Sequence, residues 1–309
     1  MPACDWLLDK PIAVAAHAWV GYESMFLARD EGWLDLRQVR LLETRSASAS
    51  LQALAQGQVQ GAALTLDEVL RARSGGLPLS VVLVFDVSAG ADMLLARAGI
   101  KKLSDIKGRR LGYEQGTTGE LMLLEVMRAA GLSRQDITLV PLAIDQQRAA
   151  WSRQEIDAVI SYEPVASQLL AQDATRLFDS RKTPNTIVDV LALRRDALEP
   201  CCQAAVRHLI EGHFRALEHL AGNPRDAAYR MTRHLGLPLH QVLSAFKGLV
   251  QPGVANNHRL LAGATPELLA SARQISGVMV RNHLLKQEDS LNLLLCPDFL
   301  PTDFSANRL

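Results

Sequence analysis

The sequence has no excess of either charge: 33 Lys and Arg balance 33 Asp and Glu in 309 residues. A general nucleic-acid binder needs a net-basic face to displace counterions, and anionic membranes attract polybasic patches, so neither partner is expected. Cysteine is scarce: Cys4, Cys201, Cys202 and Cys296 show no C-x-x-C spacing, so neither a zinc site nor a disulfide framework is expected. No apolar run reaches the roughly 18 residues that span a bilayer; the longest, around 77–87, is interrupted and strand-like. GxxxxGK[ST], GxSxG and HExxH are all missing. His208, His213 and His219 fall on different faces of one helical stretch, which predicts surface or interfacial roles and no metal. Catalytic residues and cofactors are not expected.

What is present is an ordinary globular composition, 48% apolar and 21% charged, in a chain long enough for two domains. Short apolar strands alternate with amphipathic helices. Strands are predicted over 11–16, 39–43 and 61–64, with helices over 21–32, 48–56 and 67–74, the last capped by Asp67. That order implies βαβ units and a mostly parallel sheet. Two apolar runs, SVVLVFDV and DMLLAR, are then joined only by Ser88-Ala89-Gly90-Ala91. A second series follows: strands over 110–114, 138–141 and 157–161, with a helix to Ala130 and another from Gln146. After one more strand over 189–194 the chain is almost wholly helical, punctuated by Asn223-Pro224, Gly236-Leu237-Pro238 and Thr265-Pro266.

One internal similarity stands out. GQVQGAALTLDEV, from Gly57 to Val69, aligns without gaps on RQEIDAVISYEPV, from Arg153 to Val165. In both, a short strand ends in a hydroxyl residue, Thr65 or Ser161, with a carboxylate two places on, Asp67 or Glu163. Each block would thus carry a corresponding loop at the carboxyl ends of its strands, where open α/β sheets place ligands, and the two loops would face one another across a cleft. At the N-terminus, Met1-Pro2-Ala3-Cys4 reads either as a surface Cys on a frayed end or as what remains of a lipoprotein signal whose apolar part is not in this sequence, with Cys4 lipidated.

A family resemblance emerges from longer runs. Trp19-Val20-Gly21-Tyr22-Glu23 and Phe26-Leu27-Ala28-Arg29-Asp30-Glu31-Gly32-Trp33 resemble the opening of periplasmic solute-binding proteins of nitrate, sulfonate, taurine and bicarbonate ABC importers. That superfamily also includes binding proteins for thiamine-pyrimidine precursors. Ala53-Leu54-Ala55-Gln56-Gly57, the run from Leu103 to Gly112, and Asp157-Ala158-Val159-Ile160 with Glu163-Pro164 extend the resemblance over most of the chain. The resemblance implies an α/β, two-lobed type II periplasmic binding protein fold, with mixed, mostly parallel sheets, two crossover hinge strands and a helical C-terminal tail. Lobe 1 would comprise 10–88 and 190–309, lobe 2 would comprise 92–186, and the hinges would lie near 84–92 and 185–190. It further implies a monomer, exported or periplasmic, that closes on a small-molecule ligand and serves a membrane permease and ATPase. The rivals on the same fold are an enzyme of pyrimidine-precursor or menaquinone-pathway type, and a ligand-sensing module.

The candidate ligand-binding residues follow the strand ends. His17, Trp19, Tyr22 and Glu23 follow the first strand, Trp19 as a flat platform. Ser46, Ser48 and Ser50 alternate at a helix start, and Gly116-Thr117-Thr118-Gly119 lies between strand and helix, the geometry that cradles an anionic oxygen. Thr65, Asp67, Ser88, Asp92, Glu114, Tyr162, Glu163 and Asp189 complete the set. These loops contribute carboxylates but no Lys or Arg, which disfavours a bare anion such as nitrate. A small polar organic ligand is expected, sulfonate- or taurine-like or nitrogen-containing such as an aminopyrimidine; the carboxylates favour one with amine or N–H donors, its negative end at Thr117/Thr118 or Ser46/Ser48.

Overall fold

The computed structural model describes residues 10–302; Cys4 lies outside them. Two sheets divide the chain into two lobes. The first sheet holds β1 (Ile12–His17), β2 (Val39–Thr44), β3 (Gly61–Thr65), β4 (Leu79–Ser88), β10 (Val188–Arg194) and β11 (Leu249–Val250), in the order β11-β4-β10-β3-β1-β2. The second holds β5 (Asp92–Arg97), β6 (Arg110–Tyr113), β7 (Thr138–Pro141), β8 (Ala158–Tyr162) and β9 (Ala174–Asp179), in the order β7-β6-β8-β5-β9. The chain leaves the first sheet after Ser88, enters the second at Asp92, and returns after Asp179 to begin β10 at Val188.

The sheets are mixed but not mostly parallel. β1 runs parallel to β2 and β3, and β6 parallel to β7 and β8, whereas β10 is antiparallel to β3 and β4, and β5 to β8 and β9. The reason is topological. β5 and β10 arrive from the opposite lobe, so each starts at the edge where its βα neighbours end: Asp189 pairs with Thr65, and Asp92 with Tyr162. The two sheets therefore share one plan, β4-β10-β3-β1-β2 against β9-β5-β8-β6-β7, with matching directions. This plan superposes β3 on β8, the strands matched by the internal sequence similarity.

Helices start where the sequence supplies acceptors. α2 (Ala47–Ala55) is capped by Ser46, whose hydroxyl accepts from Ala49 N at 3.2 Å. α3 (Leu66–Ser74) begins one residue earlier than expected, and its cap is Thr65, not Asp67: Glu68 reaches back to Thr65 N at 2.9 Å in the T-x-x-E pattern of a capping box. α4 (Thr118–Ala130) is capped by Thr117 and stopped by Gly131 in the left-handed conformation. The predicted helix over 21–32 shortens to a 3-10 turn, Val20–Tyr22, leading into α1 (Glu23–Asp30). α5 (Ile144–Ser152) and α6 (Val165–Leu170) follow β7 and β8. The sequence concealed β9, an edge strand whose ATRLFD is half polar and lacks a clear period.

The core sits on both faces of each sheet, which is why the central strands read as unbroken apolar runs. In β4, residues 81–85 are fully buried. In β5, Leu94 and Ala96 join one apolar cluster of the second lobe while Met93 and Leu95 join the other, the period-2 alternation of a strand covered on both sides. The tail packs on the first lobe: α7 (Gln203–Gly222) against α1, α10 (Val254–Leu261) against β4, and α11 (Glu267–Arg281) against α3. His213 of α7 is core rather than surface, because α7 turns that face onto α1; its Nδ1 meets Ser24 Oγ at 2.6 Å. Each large apolar side chain so buried contributes about 1.5–3 kcal/mol. Leu121, Ile144 and Tyr162 of the second lobe belong to the first lobe's cluster, so the lobes meet in apolar contact across the cleft.

Candidate functional site

A narrow cavity lies where the strand ends of both lobes converge. It is lined by His17, Trp19, Tyr22, Ala47, Thr65, Glu68, Asp92, Thr118, Tyr162, Ile187 and Asp189, and its volume is about 10 Å³. That is room for about one water, far below the ~300–1,000 Å³ of pockets for drug-sized ligands, so the lobes must part to admit a solute.

Aromatic rings form the walls. Tyr162 comes edge-on to His17 at 5.5 Å and to Trp19 at 5.7 Å between ring centres, and His17 meets Tyr22 at 5.4 Å. The rings are fixed by acids behind them. Trp19 Nε1 donates to Asp86 Oδ2 at 3.1 Å, and Tyr22 Oη donates to Asp189 Oδ1 at 2.5 Å. Gly21 makes this approach feasible, since a Cβ there would lie 1.7 Å from Asp86 Oδ2. Six buried polar atoms of lining residues have no hydrogen-bond partner: His17 Nδ1, Thr65 Oγ1, Asp92 Oδ2, Thr118 Oγ1, Tyr162 Oη and Asp189 Oδ2.

The electrostatics are those of acids kept from water without a compensating cation. Burial pushes Asp92 up to about 7, with Asp67 and Glu163 adding to it. Burial likewise takes Asp86 to about 7 against the Trp19 hydrogen bond, and lifts Asp189 well above the usual carboxylate range, with the Asp86 charge adding. Glu68 rises to about 8 through burial and the Asp67 charge, opposed by the two N–H groups it accepts from. Burial drops His17 to about 3, so its ring is neutral. No Lys or Arg lines the cavity. The Arg71 guanidinium pairs with Glu120 at 3.5 Å and, among these buried acids, offsets Asp67, which burial nonetheless raises.

The residues proposed from sequence thus divide. His17, Trp19, Tyr22, Thr65, Asp92, Thr118, Tyr162 and Asp189 meet at the cavity. Asp67 is buried but not among the lining residues, and both its carboxylate oxygens lack a hydrogen-bond partner. Ser46 caps α2, Ser50 bonds Thr44, and Thr117 caps α4. Ser48 and Glu114 bond each other across the cleft. Ser88 ties the crossing segments together, its hydroxyl 2.8 Å from that of Ser180. Glu23 points away into the first lobe, its Oε1 2.6 Å from His234 Nδ1. Glu163 accepts from Ser167 N and Oγ at 3.1 and 2.9 Å and borders a separate groove with Arg176, Arg181 and Lys247. Sequence reasoning missed Glu68, which the capping-box spacing after Thr65 could have revealed. It also missed Asp86, a lone carboxylate inside VVLVFDV whose burial demands a partner.

Among the described residues, no group of His, Cys, Asp and Glu is arranged to hold a metal ion, no cysteine lines the cavity, and no helix is long and apolar enough to cross a membrane.

Comparison with known proteins matches this arrangement to one family. A family model described as NMT1/THI5 like matches residues 22–227, more than half of the chain. The "Putative aliphatic sulfonates-binding protein" of Escherichia coli (strain K12) is 26% identical over 168 residues, 51% of this chain and 53% of that one; the chain spans about half the length of this relative. Among solved structures, the alkanesulfonate-binding protein SsuA from Xanthomonas axonopodis pv. citri, bound to MOPS, superposes with a TM-score of 0.75 at 19% identity, covering 94% of this chain and 98% of that one. The desulfurization enzyme DSZB superposes with a TM-score of 0.67 at 16% identity, covering 93% and 97%. The two-lobed periplasmic binding protein fold is therefore shared by a binding protein and an enzyme.

Proposed function

This chain belongs to the NMT1/THI5-like family, and from that premise we propose that it is the exported solute-binding component of an ABC importer, working without catalysis. It captures a small organic solute between its lobes and presents the closed form to a permease and its ATPase. Closure is a hinge motion at 89–91 and 180–187, and the ligand stabilises it because only in the closed form do the walls of both lobes touch the ligand together. The ligand carries amine, amidine or ring N–H donors. Its flat part packs against Trp19, Tyr22 and Tyr162, and its donors face Asp92 and Asp189.

The observation that carries this reading is the set of unpartnered acceptors, Asp92 Oδ2 and Asp189 Oδ2, in an aromatic-walled cavity whose lining contains no cation. An unpaired buried acceptor costs about 1–3 kcal/mol, which a donor-bearing ligand would recover. A sulfonate or nitrate would add repulsion instead. A thermal-shift panel of nitrate, alkanesulfonates, taurine, amines and aminopyrimidines tests it: the amines and aminopyrimidines should raise Tm, and stabilisation by nitrate or alkanesulfonates alone would overturn the reading.

A further inference from the structure

Two carboxylates of the cleft, Glu114 and Glu68, accept from backbone N–H groups at helix N-termini of both lobes. Glu114, which follows β6 in the second lobe, accepts from Ser48 N at 3.0 Å and Ser48 Oγ at 2.6 Å with Oε1, and from Ile144 N at 3.3 Å with Oε2. Ser48 lies in the first turn of α2 in the first lobe, and Ile144 begins α5 in the second. Glu68, on α3 of the first lobe, accepts from Thr65 N at 2.9 Å with Oε2 and from Thr118 N, the first residue of α4 in the second lobe, at 3.2 Å with Oε1. Each carboxylate therefore joins two helix N-termini, one from each lobe. Free N–H groups and the positive end of the helix dipole make such N-termini ready anion sites when they are open. Here four of them converge on the cleft, and both convergence points are filled by the protein's own side chains, 3% and 1% exposed for Glu114 and Glu68.

We propose that Glu114 and Glu68 are specificity-determining residues that plug the helix N-termini of the cleft from within, excluding sulfonate- and nitrate-type anions and leaving the ligand only the acid-lined, aromatic-walled cavity. The plugs also bind lobe to lobe without any ligand. Closure thus does not depend on an anion bridging the two sets of N–H groups, and the ligand need only settle the donors facing Asp92 and Asp189. The proposal deepens the donor-ligand reading and rests on it for the character of the ligand. The plugging of the helix N-termini, however, stands or falls on Glu114 and Glu68 alone.

The test is a gain of binding, which a merely structural role would not produce. Glu114→Ala and Glu114→Ser vacate three donors, Ser48 N, Ser48 Oγ and Ile144 N, while Glu68→Ala vacates two, Thr65 N and Thr118 N. Each variant, with folding checked by circular dichroism, is titrated calorimetrically with sodium methanesulfonate and sodium nitrate beside the wild type. The wild type should show no heat of binding, and the Glu114 variants should bind methanesulfonate at least about tenfold more tightly than the wild-type detection limit. If the wild type binds either anion with both glutamates in place, or if the folded variants all remain blind to both, the proposal is overturned. A variant that does not fold leaves the result to the other two, which empty the same seat with a hydroxyl or the opposite seat. An amine titration of the wild type separates the two claims: anion binding gained by the variants beside a wild type that ignores amines would keep the plugs and discard the donor ligand.

Discussion

Asp86 and Asp189 face each other across the β4–β10 ladder, and each is held from the same short segment after β1, Asp86 by Trp19 Nε1 at 3.1 Å and Asp189 by Tyr22 Oη at 2.5 Å. Burial is the main reason both carboxyls hold protons; the Asp86 charge raises Asp189 further, while a hydrogen bond from Asp189 partly offsets the rise of Asp86. A cationic or N–H-rich ligand at Asp189 would take the place of such a proton. Asp189→Asn should therefore weaken binding of an amine or aminopyrimidine by about 1–3 kcal/mol, roughly 5- to 150-fold in Kd, measured by titration calorimetry. An unchanged Kd would remove Asp189 from the site.

The pH dependence follows from the same acids. Glu68 moves from 4.5 to about 8, and Asp86 and Asp92 from 3.8 to about 7, all upward on folding. A carboxyl raised on folding holds its proton more tightly when native. Its stabilising contribution is fully present below the unfolded values near 4 and is lost as pH climbs through 7 to 8. The ligand-free protein should melt on the order of 5 °C lower at pH 8.5 than at pH 5.5, with the decline shrinking in the Asp92→Asn variant. A flat or rising Tm over that window contradicts the assignment.

Gly21 is required by a close approach. A methyl group there would meet Asp86 Oδ2 at 1.7 Å and Trp19 Nε1 at 2.6 Å. Gly21→Ala should cost about 1–3 kcal/mol by overpacking, and should also abolish ligand binding by turning the Trp19 wall. Denaturant melts and a ligand titration on one preparation measure both.

Glu23 and His234 form the opposite case, a buried pair remote from the cavity. The Glu23 carboxyl is 1% exposed, His234 Nδ1 lies 2.6 Å away, and the His234 ring packs on Phe26 at 4.2 Å. His234→Ala leaves the acid without its partner and should lower stability by about 1–3 kcal/mol while leaving ligand affinity unchanged. A loss of affinity with stability intact would return Glu23 to the binding site.

Much of this architecture is legible in the residues. The βα alternation locates β1 to β3 and β6 to β8 within about a residue, because the central strands covered on both faces must be apolar and α2, α3 and α4 start at Ser46, Thr65 and Thr117. The reversal of β5 and β10 is not legible, since direction is set by which lobe a strand comes from and no local pattern records it. At the site, strand-end residues such as His17, Asp92 and Asp189 could be found because their position follows from topology. Glu23 and Asp67 sit at the same strand ends, yet helical geometry turns the first toward His234 and leaves the second buried outside the cavity lining. Asp86 was hidden in an apolar strand, where only its partner Trp19, 67 residues away in sequence, explains it.

The most direct test of the donor-ligand reading is calorimetric titration of the wild type at pH 7 with a small aminopyrimidine, a primary amine and methanesulfonate, each in two buffers of different ionisation enthalpy. The account predicts that the nitrogen ligands bind, that their heats differ between buffers because buried carboxyls give up protons, and that methanesulfonate does not bind. Binding of methanesulfonate with no response to either nitrogen ligand would contradict it.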